Sequence, residues 1–124
     1  MSTNASVHVK GTDGKIRSIY IHWDGYVSGV GHTLRDHYNT QDAADDLIHM
    51  GDCSSLTETL EDSTFYHRDR NEDWDDVQPG VADDLETSLD RNDQSYNYYF
   101  ENGEWFYADS GEGLLPLTKE VEEA

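Results

Sequence analysis

Tyr96, Tyr98 and Phe100 alternate with polar residues, Asn102-Gly103 follows, and Trp105 and Tyr107 resume the alternation. Asn-Gly between two period-two runs specifies a tight antiparallel hairpin, because both residues tolerate the positive φ angles of the turn that matches strand twist. The aromatic face of such a hairpin has to be buried, so the rest of the chain must supply further strands and an apolar layer.

A second hairpin is written at the other end. Val7 and Val9 share one face of an alternating stretch, Ile19, Ile21 and Trp23 share one face of another, and Gly11-Thr12-Asp13-Gly14 supplies the turn between them. Three glycines between Asp24 and Gly31 predict a structured loop. Leu34 and Tyr38 recur at helical spacing from about Gly31 to Tyr38. A second helix carries Ala43, Ala44, Leu47 and Ile48 on its apolar face, Asp42, Asp45 and Asp46 on its outer face, and Gly51 as its stop. Beyond it the pattern predicts a short strand around Thr64 to Arg68, a turn at Pro79-Gly80, a short acidic helix from Val81 to Leu89 and a last helical turn after Pro116. The expectation is one α+β domain over residues 1–124. In it the N-terminal hairpin, two short helices, further strands and the C-terminal aromatic hairpin give an antiparallel sheet packed on the helices. A chain of 124 residues suits a single core.

Charge constrains the partners. With 27 acidic and 8 basic side chains, the formal net charge is −19. Such a chain repels nucleic acid and anionic lipid and is drawn to basic surfaces, of which nucleic-acid-binding proteins carry the strongest. The expected partner is therefore a basic nucleic-acid-binding protein or complex, with no direct nucleic-acid binding and no membrane contact. Residues 58 to 93 hold thirteen carboxylates against three arginines. The candidate partner-binding residues are Asp69, Glu72, Asp73, Asp75, Asp76, Asp83, Asp84 and Glu86, with Asp42, Asp45 and Asp46 as a secondary patch. Rigidly held carboxylates with interspersed aromatics (Phe65, Tyr66, Trp74) can reproduce the charge spacing of a phosphate backbone. Scarce lysine (Lys10, Lys15, Lys119) and 17 aspartates against 10 glutamates also fit adaptation to high salt.

Motifs for catalysis or metal binding are incomplete. Cys53 is the single cysteine, which excludes an intramolecular disulfide and a multi-cysteine metal site and points to a reducing compartment. The histidines at 8, 22, 32, 37, 49 and 67 never stand four apart, so they read as scattered surface or half-buried side chains. Asp69, Asn71, Asp73 and Asp75 begin like a calcium loop, but Trp74 replaces the sharp-turn glycine and Gly80 the closing glutamate. Ser54-Ser55 lacks the nucleophile elbow and reads as a turn or helix cap. No cofactor is expected. Neither a signal-like start nor an apolar run of about 20 residues is present, so a cytoplasmic location is expected.

His22-Trp23-Asp24-Gly25-Tyr26, followed by Gly31, Leu34 and His37-Tyr38, resembles a family of small uncharacterised phage, prophage and plasmid proteins that carry a His-Trp-Asp-Gly-Tyr motif. Further matches keep the same order: Asp46-Leu47-Ile48 through Gly51-Asp52 and Ser54-Ser55-Leu56, then Phe65-Tyr66 with Arg68-Asp69-Arg70, and finally Tyr96 to Tyr107. The resemblance implies a mobile-element accessory protein, a group rich in inhibitors of host defence, and carries over no catalytic residues. Where relatives often place cysteine before the histidine this chain has Ile21, and Ser2-Thr3-Asn4-Ala5-Ser6 replaces the usual opening. The missing cysteine speaks against thiol chemistry.

The motif itself supports two readings. In one, Trp23 packs in the core, Gly25 takes a positive φ and Asp24 caps the next turn. In the other, His22, Trp23, Asp24 and Tyr26 form an alternative loop site, either an interaction surface of a salt-adapted accessory domain or the acid-base centre of a small hydrolase. The leading expectation is non-enzymatic: a phage-type inhibitor of anti-CRISPR or anti-restriction character that mimics nucleic acid, acting in the host cytoplasm.

Overall fold

The computed structural model describes residues 4–23, 25–92, 94–109 and 113–117. Among them eight strands form one sheet: β1 (Ala5–Lys10), β2 (Ile16–Ile21), β3 (Cys53–Ser55), β4 (Thr64–Phe65), β5 (Gly80–Ala82), β6 (Tyr96–Glu101), β7 (Glu104–Asp109) and β8 (Gly113–Pro116). The helices are α1 (His32–His37), α2 (Gln41–Ile48), α3 (Tyr66–Arg70), α4 (Trp74–Val77) and α5 (Leu85–Arg91). The class is α+β, with a strand hairpin at each end of the sequence as the alternation requires.

Both hairpins are antiparallel. Val7 lies opposite Ile19, and Phe100 opposite Trp105. Asn102 and Gly103 take φ of 53° and 80°, the left-handed pair that this two-residue turn demands. The two hairpins join through β1 and β6, which run parallel, with Val7 beside Tyr98. β2 and β3 also run parallel where Ile21 meets Cys53. The sheet is therefore mixed, in the order β4-β3-β2-β1-β6-β7-β8 with β5 on β2, rather than antiparallel throughout. Period-two alternation fixes which face each residue occupies but not the sense in which two distant strands meet, and the long connection from β1 to β6 permits either sense.

One face of the sheet holds the apolar core. Val7, Val9, Ile19, Ile21, Tyr98 and Phe100 pack there with Leu34 of α1, with Tyr38 just past its end, and with Ala44, Leu47 and Ile48 of α2. Thr40 caps α2 by accepting the Ala43 N–H at 3.1 Å. Trp105 ties the second hairpin to α1 by donating its indole N–H to the Tyr38 carbonyl at 2.9 Å.

The opposite face is also roofed, by α5 packed on β5, β2 and β1. β1 is consequently buried on both sides, and Ser6 and His8 are fully enclosed. His8 is thus not a surface histidine. Its Nε2 lies 2.7 Å from Ser6 Oγ and its Nδ1 2.6 Å from Ser88 Oγ on α5.

Four local expectations are corrected. Residues 64–68 are a two-residue strand that turns into α3, because the Asp69 carboxylate accepts the Phe65 N–H at 2.8 Å and starts a helix. The expected helix from Val81 to Leu89 is instead β5 followed by α5, whose cap is Asp84 accepting the Thr87 N–H at 2.8 Å. Ser54-Ser55 lies in β3 and not in a turn, since Cys53 enters the core between Ile21 and Phe65. Within the loop from 24 to 31, Val27–Gly31 winds into a π-helical turn continuous with α1. The helical turn expected after Pro116 falls on residues 118–124, outside the described residues. No helix among the described residues is long and apolar enough to cross a membrane.

Candidate interaction surface

The acidic candidates sit on short elements anchored to the sheet. Gly51, which ends α2, has a φ of 81°, and a Cβ there would lie 2.6 Å from the Val77 carbonyl oxygen and 3.0 Å from the Trp74 ring. The Asp52 N–H then donates to that same carbonyl at 2.8 Å. This junction fixes α4, with Asp75 and Asp76, against the end of α2, whose outer side carries Asp42 and Asp46.

The carboxylates divide into two groups. Asp69 chelates the Arg68 guanidinium, which with the Phe65 N–H holds its carboxyl below the usual carboxylate range. Asp73 caps α4 by accepting the Asp75 N–H, and Asp84 caps α5. Asp83 pairs with Lys15 at 2.8 Å, and Asp45 accepts from Gln41 at 2.9 Å. These five hold the local fold. Glu72, Asp75, Asp76, Glu86, Asp42 and Asp46 are exposed, and no hydrogen bond or ion pair of their carboxylates is seen among the described residues. Asp69, Asp73, Asp83 and Asp84 are exposed as well, so what sets these six apart is that their carboxylates are not engaged among the described residues. The calcium-like start at Asp69 is dismantled by the same contacts, since Asp69 and Asp73 turn their oxygens to Arg68, Phe65 and Asp75, and Asn71 is the left-handed end of α3. No group of three metal-ligating side chains is placed to hold an ion among the described residues.

No protein-family model, curated protein or solved structure matches this chain.

The His22 to Tyr26 segment adopts an arrangement that alternation did not foretell. Trp23 does not join Ile19 and Ile21 in the core; its side chain is 45% exposed. β2 ends at Ile21, and the His22 and Trp23 N–H groups pair with the Cys53 and Ser54 carbonyls at 3.0 Å, so the chain turns away before the third apolar position is reached. Asp24 falls outside the described residues. Gly25 is needed for close approach, since a Cβ there would stand 2.6 Å from the Asn4 carbonyl carbon and oxygen. Its own carbonyl accepts the buried Tyr98 hydroxyl at 2.6 Å, while the Tyr26 carbonyl accepts the Gly29 N–H at 2.9 Å and the Gly31 N–H at 3.4 Å, the latter being the five-residue bond that starts the π-helical turn.

Around Trp23 lies an aromatic cluster on the side of the sheet opposite the core. The His22 ring meets the indole edge-on at 4.7 Å, and its Nδ1 is 2.6 Å from the Tyr20 hydroxyl. On the neighbouring strand Ser54 accepts a hydrogen bond from Arg70 at 3.2 Å, and the Arg70 guanidinium lies 5.2 Å from the Tyr66 ring centroid. Asp52, beneath Tyr20, accepts its N–H at 2.9 Å. Burial pushes the Asp52 carboxyl up to about 6, with the nearby Glu72 charge acting in the same direction. Burial also raises the Cys53 thiol far above the range in which a thiolate forms.

Proposed function

We propose that this chain is a non-enzymatic, mobile-element protein that binds a basic nucleic-acid-binding host defence complex and blocks access of DNA or RNA by presenting a nucleic-acid-like array of charge. The observation that carries the reading is the division among the carboxylates. One subset is engaged in helix caps and ion pairs, and a second subset, on or beside the same short helices, is exposed with its carboxylates unpaired among the described residues. Rigid, unneutralised negative charge meets arginine and lysine without the entropy cost of ordering a flexible acidic tail. The net charge of −19 adds long-range steering toward a basic channel. The resemblance through His22 to Tyr26 supports a mobile-element origin.

The test is capture of host-lysate proteins on the purified chain at moderate salt, after nuclease treatment and again at high salt. The reading expects a nucleic-acid-binding complex that nuclease spares and high salt releases. Recovery of the same proteins by a variant with Glu72, Asp75, Asp76 and Glu86 changed to lysine would refute it.

The exposure of Trp23 favours one second reading, a salt-adapted accessory domain that binds through the His22 to Tyr26 loop. It expects marginal folding in dilute buffer and recovery in molar salt, whereas the first reading expects a folded protein in both.

A further inference from the structure

We propose that the aromatic cluster around Trp23 is the anchor point of the interface, and that it takes an arginine side chain from the basic partner. The inference deepens the reading above and rests on it. Interfaces concentrate their binding energy in a few aromatic and arginine contacts, with the surrounding charge setting on-rate and orientation. The acidic elements supply the surrounding charge here. The one large apolar side chain that they leave exposed among the described residues is Val81 of β5, since Val77 of α4 faces inward.

Trp23 and Val81 are the two large apolar side chains left exposed among the described residues, and only Trp23 stands in an aromatic setting. Its indole is braced by the perpendicular His22 ring, which is held in turn by the Tyr20 hydroxyl. The indole thus requires little ordering when a ligand lands on it.

The chemistry of the occupant follows from the charges that border the cluster. Arg70 adds one positive charge beside it, with its guanidinium held over Tyr66 and donating to Ser54. Two carboxylates outweigh that charge: Asp52 accepts the Tyr20 N–H, and Glu72 follows α3 with its N–H bonded to the Tyr66 carbonyl. A π face in a negative field attracts a cation and repels phosphate. Among cations, guanidinium is planar and weakly hydrated, so it can stack on the indole while its remaining N–H groups reach nearby carboxylates. Lysine offers a point charge that prefers to stay hydrated.

The probe is a twelve-residue peptide of alternating arginine and glycine, compared with its lysine counterpart, titrated into the full chain at moderate and at high salt. Trp23→Ala, at an exposed position and checked for folding by circular dichroism, is expected to weaken the arginine peptide about five-fold or more, with a smaller effect on the lysine peptide. The loss should persist at high salt, where diffuse attraction is screened. Equal affinity of Trp23→Ala and parent for the arginine peptide would overturn the anchor. So would Trp23-dependent binding of a single-stranded oligonucleotide, which would mark the cluster as a base-stacking site. The variant with lysine at 72, 75, 76 and 86 separates the two levels of argument. If it loses the peptide while Trp23→Ala keeps it, only the anchor fails; if it keeps the peptide while Trp23→Ala loses it, the acidic-surface reading fails and the anchor stands.

Discussion

The His8 imidazole on β1 and the Ser88 hydroxyl on α5 lie 2.6 Å apart, both buried. The direction of this bond can be worked out. Asn97 has its amide orientation set by Gln94, whose N–H donates to Asn97 Oδ1 and whose carbonyl accepts from Asn97 Nδ2. The Ser6 hydroxyl therefore gives its one proton to Asn97 Oδ1 and accepts from His8 Nε2–H. In the neutral imidazole that leaves His8 Nδ1 as the acceptor and Ser88 as its donor. The polar chain from Ser88 to Asn97 fastens α5, and with it the charges of Asp84 and Glu86, to the sheet.

Ser88→Ala should destabilise the fold by about 1–3 kcal/mol, because it removes the donor to a buried ring nitrogen. Urea unfolding at neutral pH measures this. A stability equal to the parent's would mean that α5 is not held by this chain of bonds.

Asp52 sets a pH dependence. Its folded carboxyl, at about 6, lies above its ordinary value, so the folded state holds this proton more tightly than the unfolded chain does. The associated stabilisation is complete below the ordinary carboxylate range and is lost as pH rises through about 6. Asp52→Asn keeps an acceptor for the Tyr20 N–H without the charge. It should raise stability at pH 7 by about 1–2 kcal/mol, less than the full linkage value because the group is partly solvated, and the gain should vanish below about pH 4. A gain that does not change with pH would contradict the assignment.

Gly51→Ala and Gly14→Ala separate backbone strain from packing. Both positions have φ near 80°, but nothing lies within 4 Å of a Cβ at Gly14, whereas at Gly51 it meets the Val77 carbonyl oxygen at 2.6 Å. The Gly14 variant should lose about 1–2 kcal/mol. The Gly51 variant should lose clearly more and should loosen α4, visible as faster amide exchange at the Asp52 N–H.

The two groups of carboxylates should respond differently to charge reversal. Lysine at 72 should leave the melting temperature unchanged or raised, since it relieves repulsion in a chain of net charge −19. At 75, 76 and 86, in the first turns of α4 and α5, the same relief is offset by loss of a favourable charge at a helix start, so the melting temperature should change little. Asp73→Lys and Asp84→Lys remove helix caps and should each cost about 1 kcal/mol. Equal effects in both sets would mean that the caps and the exposed charges are not distinct.

Much of this architecture is legible in the residues. Asn102-Gly103 between alternating aromatics, the turn at Gly11 to Gly14 and the apolar stripe of α2 are local signals, and local geometry obeys them. The capping aspartates were legible in principle, since an aspartate before a helical run is a start signal, yet within so acidic a segment each reads first as surface charge. The burial of His8 was not legible: alternation marks it as outward-facing, and the helix that covers it lies some 80 residues later. Trp23 fails for the opposite reason. Its spacing continues the core face of β2, but the strand ends two residues earlier, where pairing with β3 redirects the chain.

If exposed, unpaired carboxylates compete with nucleic acid for a basic surface, the chain should displace a labelled duplex from the captured host complex, followed by fluorescence anisotropy as the chain is added. The expected result is full displacement by the parent, weakened by rising salt, and none by the variant with lysine at 72, 75, 76 and 86. A duplex that stays bound while the chain binds alongside it, or equal displacement by the variant, would contradict it.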